Sequence, residues 1–237
     1  MKIVLSGMLD TLNTKRQTAT LTVRRRGKDA PQSDSVQLRF HSPEAFTAFA
    51  SRHTKGTHLL LTGLLRLQQV PLLDPATRAP VTGSQGKEVT QPQLSLEVRE
   101  ARRVEWHDEG DLLYAHGLVS VVDTREGLRQ SAAGLPYLRV RVAYNHFKRP
   151  HESEAQADFY DLVAFGGTAE SLANLEKGER FLLEHAIPTT HSYALRDLSL
   201  ADGSPVMRQG IELTLREFSY LPRPRARDAR PESALPF

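Results

Sequence analysis

The sequence predicts an all-β chain with short helices, folded as two tandem five-stranded Greek-key barrels. Three observations predict it. Short stretches of alternating apolar and polar residues are separated by turn residues. Residues 157–185 read as strand, short helix, glycine turn and return strand. That order recurs once along the chain at an offset of roughly 115–120 residues, far longer than solenoid periods.

Taken in order, residues 3–12 form a first strand in which Gly7 marks a bulge or bend. Residues 17–25 alternate Thr18, Thr20 and Thr22 against Ala19, Leu21 and Val23, a second strand, and residues 36–40 give a third. Ser42 and Pro43 announce a helix, a capping oxygen followed by proline at the first helical position. Ala45, Phe46, Phe49 and Ala50 form its buried side, and Lys55-Gly56 stops it. Strands at 57–67 and 93–105 flank a long loop over 71–92. The second round has strands at 113–122 and 135–147, a polar loop over 146–155, and a strand over 157–167 with Phe159, Asp161, Val163 and Phe165 on one face. Thr168 is the expected cap of a short helix, Arg180 starts the return strand, 189–206 reads as a long loop, and 209–220 closes the round. A strand, a helix laid across and a return strand is how an OB barrel closes, with its helix between strands three and four.

The two rounds match at Lys55-Gly56 with Lys177-Gly178, and at Leu96-Glu97-Val98-Arg99-Glu100 with Leu213-Thr214-Leu215-Arg216-Glu217. The expected domains are residues 1–106, a linker at 107–112, residues 113–221, and a short tail at 222–237. His107, Asp108, Glu109 and Asp111 are better read as a solvated linker than as a metal cluster, since no second cluster completes the coordination.

Composition narrows the function. There is no cysteine, hence neither a disulfide framework nor a thiolate metal site. The opening residues lack the apolar core of a signal peptide, and no apolar run approaches a membrane span, so a soluble cytoplasmic protein without membrane contact is expected. Phosphate-binding glycine loops, dinucleotide fingerprints and the H-E-x-x-H zinc motif are all missing; the expectation is no enzyme and no cofactor. Residues 1–112 hold 16 basic and 12 acidic side chains, whereas 113–221 hold 11 and 14. Arginine, which forks onto phosphate and stacks on bases, supplies most of the positive charge.

Single-stranded nucleic acid is bound by arginines that track phosphates and by aromatics on which bases stack. Eleven aromatics lie between Tyr114 and Tyr220, against Phe40, Phe46, Phe49 and Trp106 before them. Basic loops follow both second strands: Arg24, Arg25 and Arg26 in one, Lys148 and Arg149 in the other. Tyr144, Phe147, Phe159 and Tyr193, at strand ends or in loops, are candidate platforms. Arg39, Phe40, Arg139 and Arg141 on the strands complete the candidate contacts.

The run Phe159-Tyr160-Asp161-Leu162-Val163-Ala164-Phe165-Gly166, followed by Ala169-Glu170, Leu175, Lys177-Gly178 and Glu184, resembles the middle of bacterial single-stranded DNA-binding proteins. Two such units in one chain are similar to the tandem-OB variant of that family, with residues 1–106 as a divergent copy. The resemblance implies sequence-independent binding and protection of single-stranded DNA in replication, recombination and repair. It puts stacking side chains at Phe159, Phe165, Tyr193, and Tyr144 or Phe147. It also implies a homodimer carrying four OB folds, and a C-terminal peg, Leu235-Pro236-Phe237, that docks replication and repair proteins. The chain departs from the family in having no tryptophan in 113–221 and an arginine-rich rather than acidic tail. The alternative is a duplicated OB scaffold that binds protein within a replication or recombination assembly; the acidic balance of residues 113–221 favours it.

Overall fold

The computed structural model describes residues 1–25, 32–83, 85–105, 111–124, 127–145, 157–200 and 202–221. The chain order is β1 (Lys2–Asn13), β2 (Thr18–Arg25), β3 (Gln32–Arg39), α1 (Pro43–Arg52), β4 (His58–Pro71), β5 (Thr90–Arg103), β6 (Leu113–Asp123), β7 (Arg129–Gln130), β8 (Pro136–Asn145), β9 (Ala157–Phe165), α2 (Gly167–Leu172), β10 (Arg180–Ser199) and β11 (Pro205–Tyr220). Strands β1–β5 close on themselves in the order β1-β2-β3-β5-β4, and β6, β8, β9, β11 and β10 do the same. β3 pairs parallel with β5 and β9 with β11, the Greek-key crossings; all other pairings are antiparallel.

Period-two alternation turns every second residue inward. In the first barrel this buries Ile3, Leu5, Leu21, Val23, Val36, Leu38, Leu61, Leu65 and Leu96, and in the second Val119, Val140, Val142, Tyr160, Leu162, Phe181, Leu183 and Leu213. Helix α1 plugs one barrel end with Phe46 and Phe49, each contributing about 2 kcal/mol by burial. Ser42 Oγ accepts from the Ala45 amide at 3.2 Å, as the sequence predicts.

Four expectations differ from the structure. Gly7 is no bulge: it runs so close beneath β2 that a Cβ there would lie 2.6 Å from the Thr22 carbonyl, and the register shift falls between Leu9 and Thr11. Thr168 does not cap α2; Gly166, at φ +58°, turns the chain directly from β9 into the helix and leaves Thr168 in its first turn. Most of 189–206 is not a loop, because β10 and β11 continue as a hairpin that turns only at Leu200–Ser204, where the Asp202 carboxylate accepts from the Ser204 amide at 2.9 Å. Beyond the barrel rim one face of this hairpin meets water and the other meets polar groups of the first barrel, so the apolar alternation that marks a strand disappears. Asp111 is not solvated. Its side chain is 2% exposed, accepts from the Arg24 amide at 2.6 Å and from Ser6 Oγ at 3.2 Å, and lies 2.8 Å from His58 Nε2. Residues 107–110 and 222–237 lie outside the described residues.

The barrels share one sheet. β1 gives one edge to β4 and divides the other, Lys2–Leu5 pairing with β6 and Met8–Asn13 with β2. β6 does likewise, with β10 on one edge and β1 then β8 on the other. The long β10–β11 hairpin leans back on the first barrel: Thr190 Oγ1 donates to Asp34 Oδ1 at 2.6 Å, and the Gln209 amide to Gln91 Oε1 at 3.3 Å.

Candidate nucleic-acid interface

On β9 the residues between the buried Tyr160, Leu162 and Ala164 face outward, and antiparallel pairing puts them beside the outward residues of β8. Phe159 stands opposite Ala143, Asp161 opposite Arg141, Val163 opposite Arg139, and Phe165 opposite Tyr137. Phe159 is 49% and Phe165 46% exposed, a large apolar outlay on a strand otherwise well packed. They lie about 20 Å apart along the strand. The Arg141 guanidinium sits over the Phe159 ring at 5.7 Å from its centroid, and the Phe165 ring lies 6.3 Å from that of Tyr137.

The β10–β11 hairpin raises a second wall. Tyr193, 40% exposed, stacks on His191 at 5.9 Å between ring centroids and 28° between planes. Gly210 makes that possible: a Cβ there would lie 2.5 Å from His191 Nε2, so only glycine lets the imidazole lie across β11. An open cleft of about 570 Å³ runs between these walls and the first barrel, lined by Arg139, Arg141, Phe159, His191, Tyr193 and Arg208 on one side and by Leu67, Gln69 and Pro92 on the other. Two carboxylates share it. Glu212 is ion-paired with Arg139, and Asp161 lies opposite Arg141.

Of the residues singled out from sequence, the structure brings together Phe159, Tyr193, Arg139 and Arg141, with Phe165 farther along the same face. Two it turns inward. Tyr144 has the parity of Leu138, Val140 and Val142, and its ring lies against Gly117, where a Cβ would come within 2.9 Å. Phe40 packs on the helix aromatics, 5.3 Å from Phe46 and 5.0 Å from Phe49. Neither belongs to the open face. Arg24 and Arg39 are exposed on the first barrel, away from the cleft. Arg26, Phe147, Lys148, Arg149, Leu235, Pro236 and Phe237, and the side chain of Arg25, lie outside the described residues.

His191, Arg208 and Gln69 were missed by sequence reasoning. Their strands leave the barrel, and no periodicity marks which side chains return to the cleft. Among the described residues the first barrel has no comparable face. The parallel pair Leu38–Leu96 occupies the place of Leu162–Leu213, which puts Ser35 where the second barrel has Phe159, Thr20 where it has Arg141, and Arg39 where it has Val163.

Burial raises the Tyr160 phenol well above the ordinary tyrosine range, with the Asp158 carboxylate adding to the shift. The hydroxyl donates to the Leu65 carbonyl of the first barrel at 2.9 Å. Among the described residues no three His, Asp or Glu side chains are grouped to hold a metal, and no helix is long and apolar enough to cross a membrane.

No family model matches the chain, and no curated protein matches it in sequence. Among solved structures the fold is similar to the single-stranded DNA binding protein from Thermus aquaticus, at 15% identity and a TM-score of 0.53, over 95% of this chain and 94% of that one. The barrels are OB folds. A deletion mutant of the same Thermus aquaticus protein aligns at 13% identity with a TM-score of 0.52, over 96% of this chain and 97% of that chain. The likeness covers at least 94% of each chain, so it extends over both barrels of this one.

Proposed function

We propose that the chain binds single-stranded DNA without sequence preference, stacking bases on Phe159, Phe165 and Tyr193 and meeting phosphates with Arg139, Arg141 and Arg208. One observation carries the reading: exposed aromatics and arginines alternate on a single open face, with the Arg141 guanidinium on the Phe159 ring. Every base has a π-face, so such platforms accept any sequence, each stack being worth about 1–3 kcal/mol. The face suits unpaired bases, because a duplex hides its base faces in the stack. The structural likeness to a protein named for single-stranded DNA binding supports the same reading. It extends to protection of single strands in replication, recombination and repair.

The assembly we propose is a homodimer of four OB folds. Along β4, β1, β6 and β10 the side of the shared sheet opposite the two cores presents Leu60, Leu64, Val4, Tyr114, Leu118 and Leu182, an apolar strip that a second copy would cover. The C-terminal Leu235-Pro236-Phe237 is the proposed peg for replication and repair proteins. Removing Phe237 is expected to abolish partner capture and leave DNA binding intact.

The deciding experiment is fluorescence anisotropy of labelled oligo-dT across a salt series, with duplex as competitor. Counterion release predicts affinity falling log-linearly with salt, and duplex competing poorly. Affinity that is salt-independent and equal for duplex contradicts the reading. The alternative, a duplicated OB scaffold that binds protein, is favoured by the carboxylates Asp161 and Glu212 inside the cleft; it is selected if oligo-dT fails to bind even at low salt.

A further inference from the structure

Phe159 is flanked by two residues that point the other way and whose polar ends reach the first barrel. Asp158 Oδ2 accepts from Arg66 Nη1 of β4 at 2.9 Å, and Arg66 Nη2 reaches Glu97 Oε2 of β5 at 3.4 Å. Tyr160 donates its hydroxyl to the Leu65 carbonyl at 2.9 Å and lies 3.4 Å from Asp158 Oδ2. Two residues of β9 therefore grip two consecutive residues of β4. Neighbouring positions on each strand line the cleft: Phe159 on β9, and on β4 Leu67 and Gln69, which continue the side of Leu65 past the barrel rim. The Arg66 and Asp158 side chains are each 28% exposed, so water screens the pair only partly.

Geometry separates this grip from DNA contact. Arg66 does not line the cleft, and its guanidinium already faces two carboxylates. Asp158 and Tyr160 stand on the core side of β9, since they pair with Tyr144 and Val142 of β8. The first barrel lacks an aromatic at the position of Phe159, so a base stacked there has barrel one only as its opposite wall. The distance between the walls is set where the strands touch.

Resting on the single-strand reading above, we propose that Arg66, Asp158 and Tyr160 are positioning residues: they clamp β9 to β4 and hold Phe159 at the distance from the first barrel that base stacking in the cleft requires. When Arg66 and Asp158 are both replaced by apolar groups of similar size, Glu97 keeps its ion pair with Arg99 at 2.8 Å, so the fold is expected to survive the removal.

The test uses the full chain with labelled oligo-dT. The double variant Arg66→Met with Asp158→Leu is expected to weaken binding about five- to tenfold, within the range of coupling between residues that share contacts. Tyr160→Phe, which keeps the ring and the core, is expected to weaken it about threefold and serves if the double variant melts early. Arg66→Lys, which keeps one charged donor, is expected to restore most of the affinity. In a Phe159→Ala background the same substitutions are expected to change affinity less than about twofold, and the salt slope is expected to stay as in wild type throughout. Full affinity in the clamp variants overturns the proposal. So does a loss repeated in full without Phe159, or a slope reduced by about 0.7, the mark of a lost phosphate contact on a single strand. A wild-type chain that does not bind oligo-dT overturns the single-strand reading itself, a result visible before any clamp variant is made.

Discussion

Glu212 is the residue whose replacement should improve binding. It projects from β11 into the cleft, 19% exposed, and holds the guanidinium of Arg139, itself 45% exposed on β8. A phosphate arriving at Arg139 must displace this carboxylate or sit beside it. Glu212→Gln keeps the size and the hydrogen-bonding group while removing the charge. A unit charge about 6 Å from a phosphate, at an effective dielectric constant of about 40 for a half-open cleft, is worth about 1.4 kcal/mol, or tenfold in affinity. Salt at about 0.1 M trims that to roughly threefold. The freed guanidinium adds one phosphate contact, so the slope of log K against log salt should steepen by about 0.7. Anisotropy titrations of oligo-dT between about 20 and 300 mM salt measure both quantities. If Glu212→Gln binds no tighter than wild type at low salt and its slope is unchanged, Arg139 does not take a phosphate and the arginine part of the reasoning is wrong.

Phe159→Ala should lose about 1–3 kcal/mol of affinity and leave the melting temperature within a few degrees, because the ring is half exposed; Tyr193→Ala should act additively. A folded double variant with full affinity removes the stacking claim. Tyr160 gives the chain an alkaline limit. Its folded-state pKa lies above the unfolded value near 10, so the neutral phenol's contribution is complete below pH about 10 and is lost as pH rises past it. Tyr160→Phe should cost about 1 kcal/mol at neutral pH for the lost hydrogen bond, and should flatten the stability difference from wild type as pH climbs above 10. Urea melts from pH 7 to 11 compare the two. Asp111→Ala leaves the Arg24 amide and Ser6 hydroxyl without their acceptor and should destabilise the chain by about 2–3 kcal/mol, read as a lower urea midpoint at unchanged slope.

Local chemistry determined much of this protein. The alternation along Leu138, Val140 and Val142, or along Leu21 and Val23, can be satisfied only by strands with one face on a core, and Ser42-Pro43 can hardly be anything but a helix start. The repeated Leu-x-x-Arg-Glu segments, 96–100 and 213–217, mark the same strand in both barrels because the same crossing pair recurs, Leu38 with Leu96 and Leu162 with Leu213. Even the exposed aromatic face of β9 was legible, since an aromatic at 159 and at 165 shares a face that Tyr160, Leu162 and Ala164 do not. Other features depend on partners distant in the chain. Tyr144 and Phe40 look like strand-end platforms until Gly117 and the α1 aromatics fill the space beside them. The 189–206 segment has no apolar period because one hairpin face meets water and the other meets a second barrel, so its strands are invisible one residue at a time. Asp111, Arg66 and Glu212 read as ordinary surface charges, and only folding shows that each is held by residues tens of positions away. The joining of the barrels is the plainest case. Any antiparallel partner satisfies the backbone of β1, and the sequence of Lys2–Leu5 has no mark that selects β6; the closed curvature of each barrel does, by leaving the free edge of one first strand open to the other.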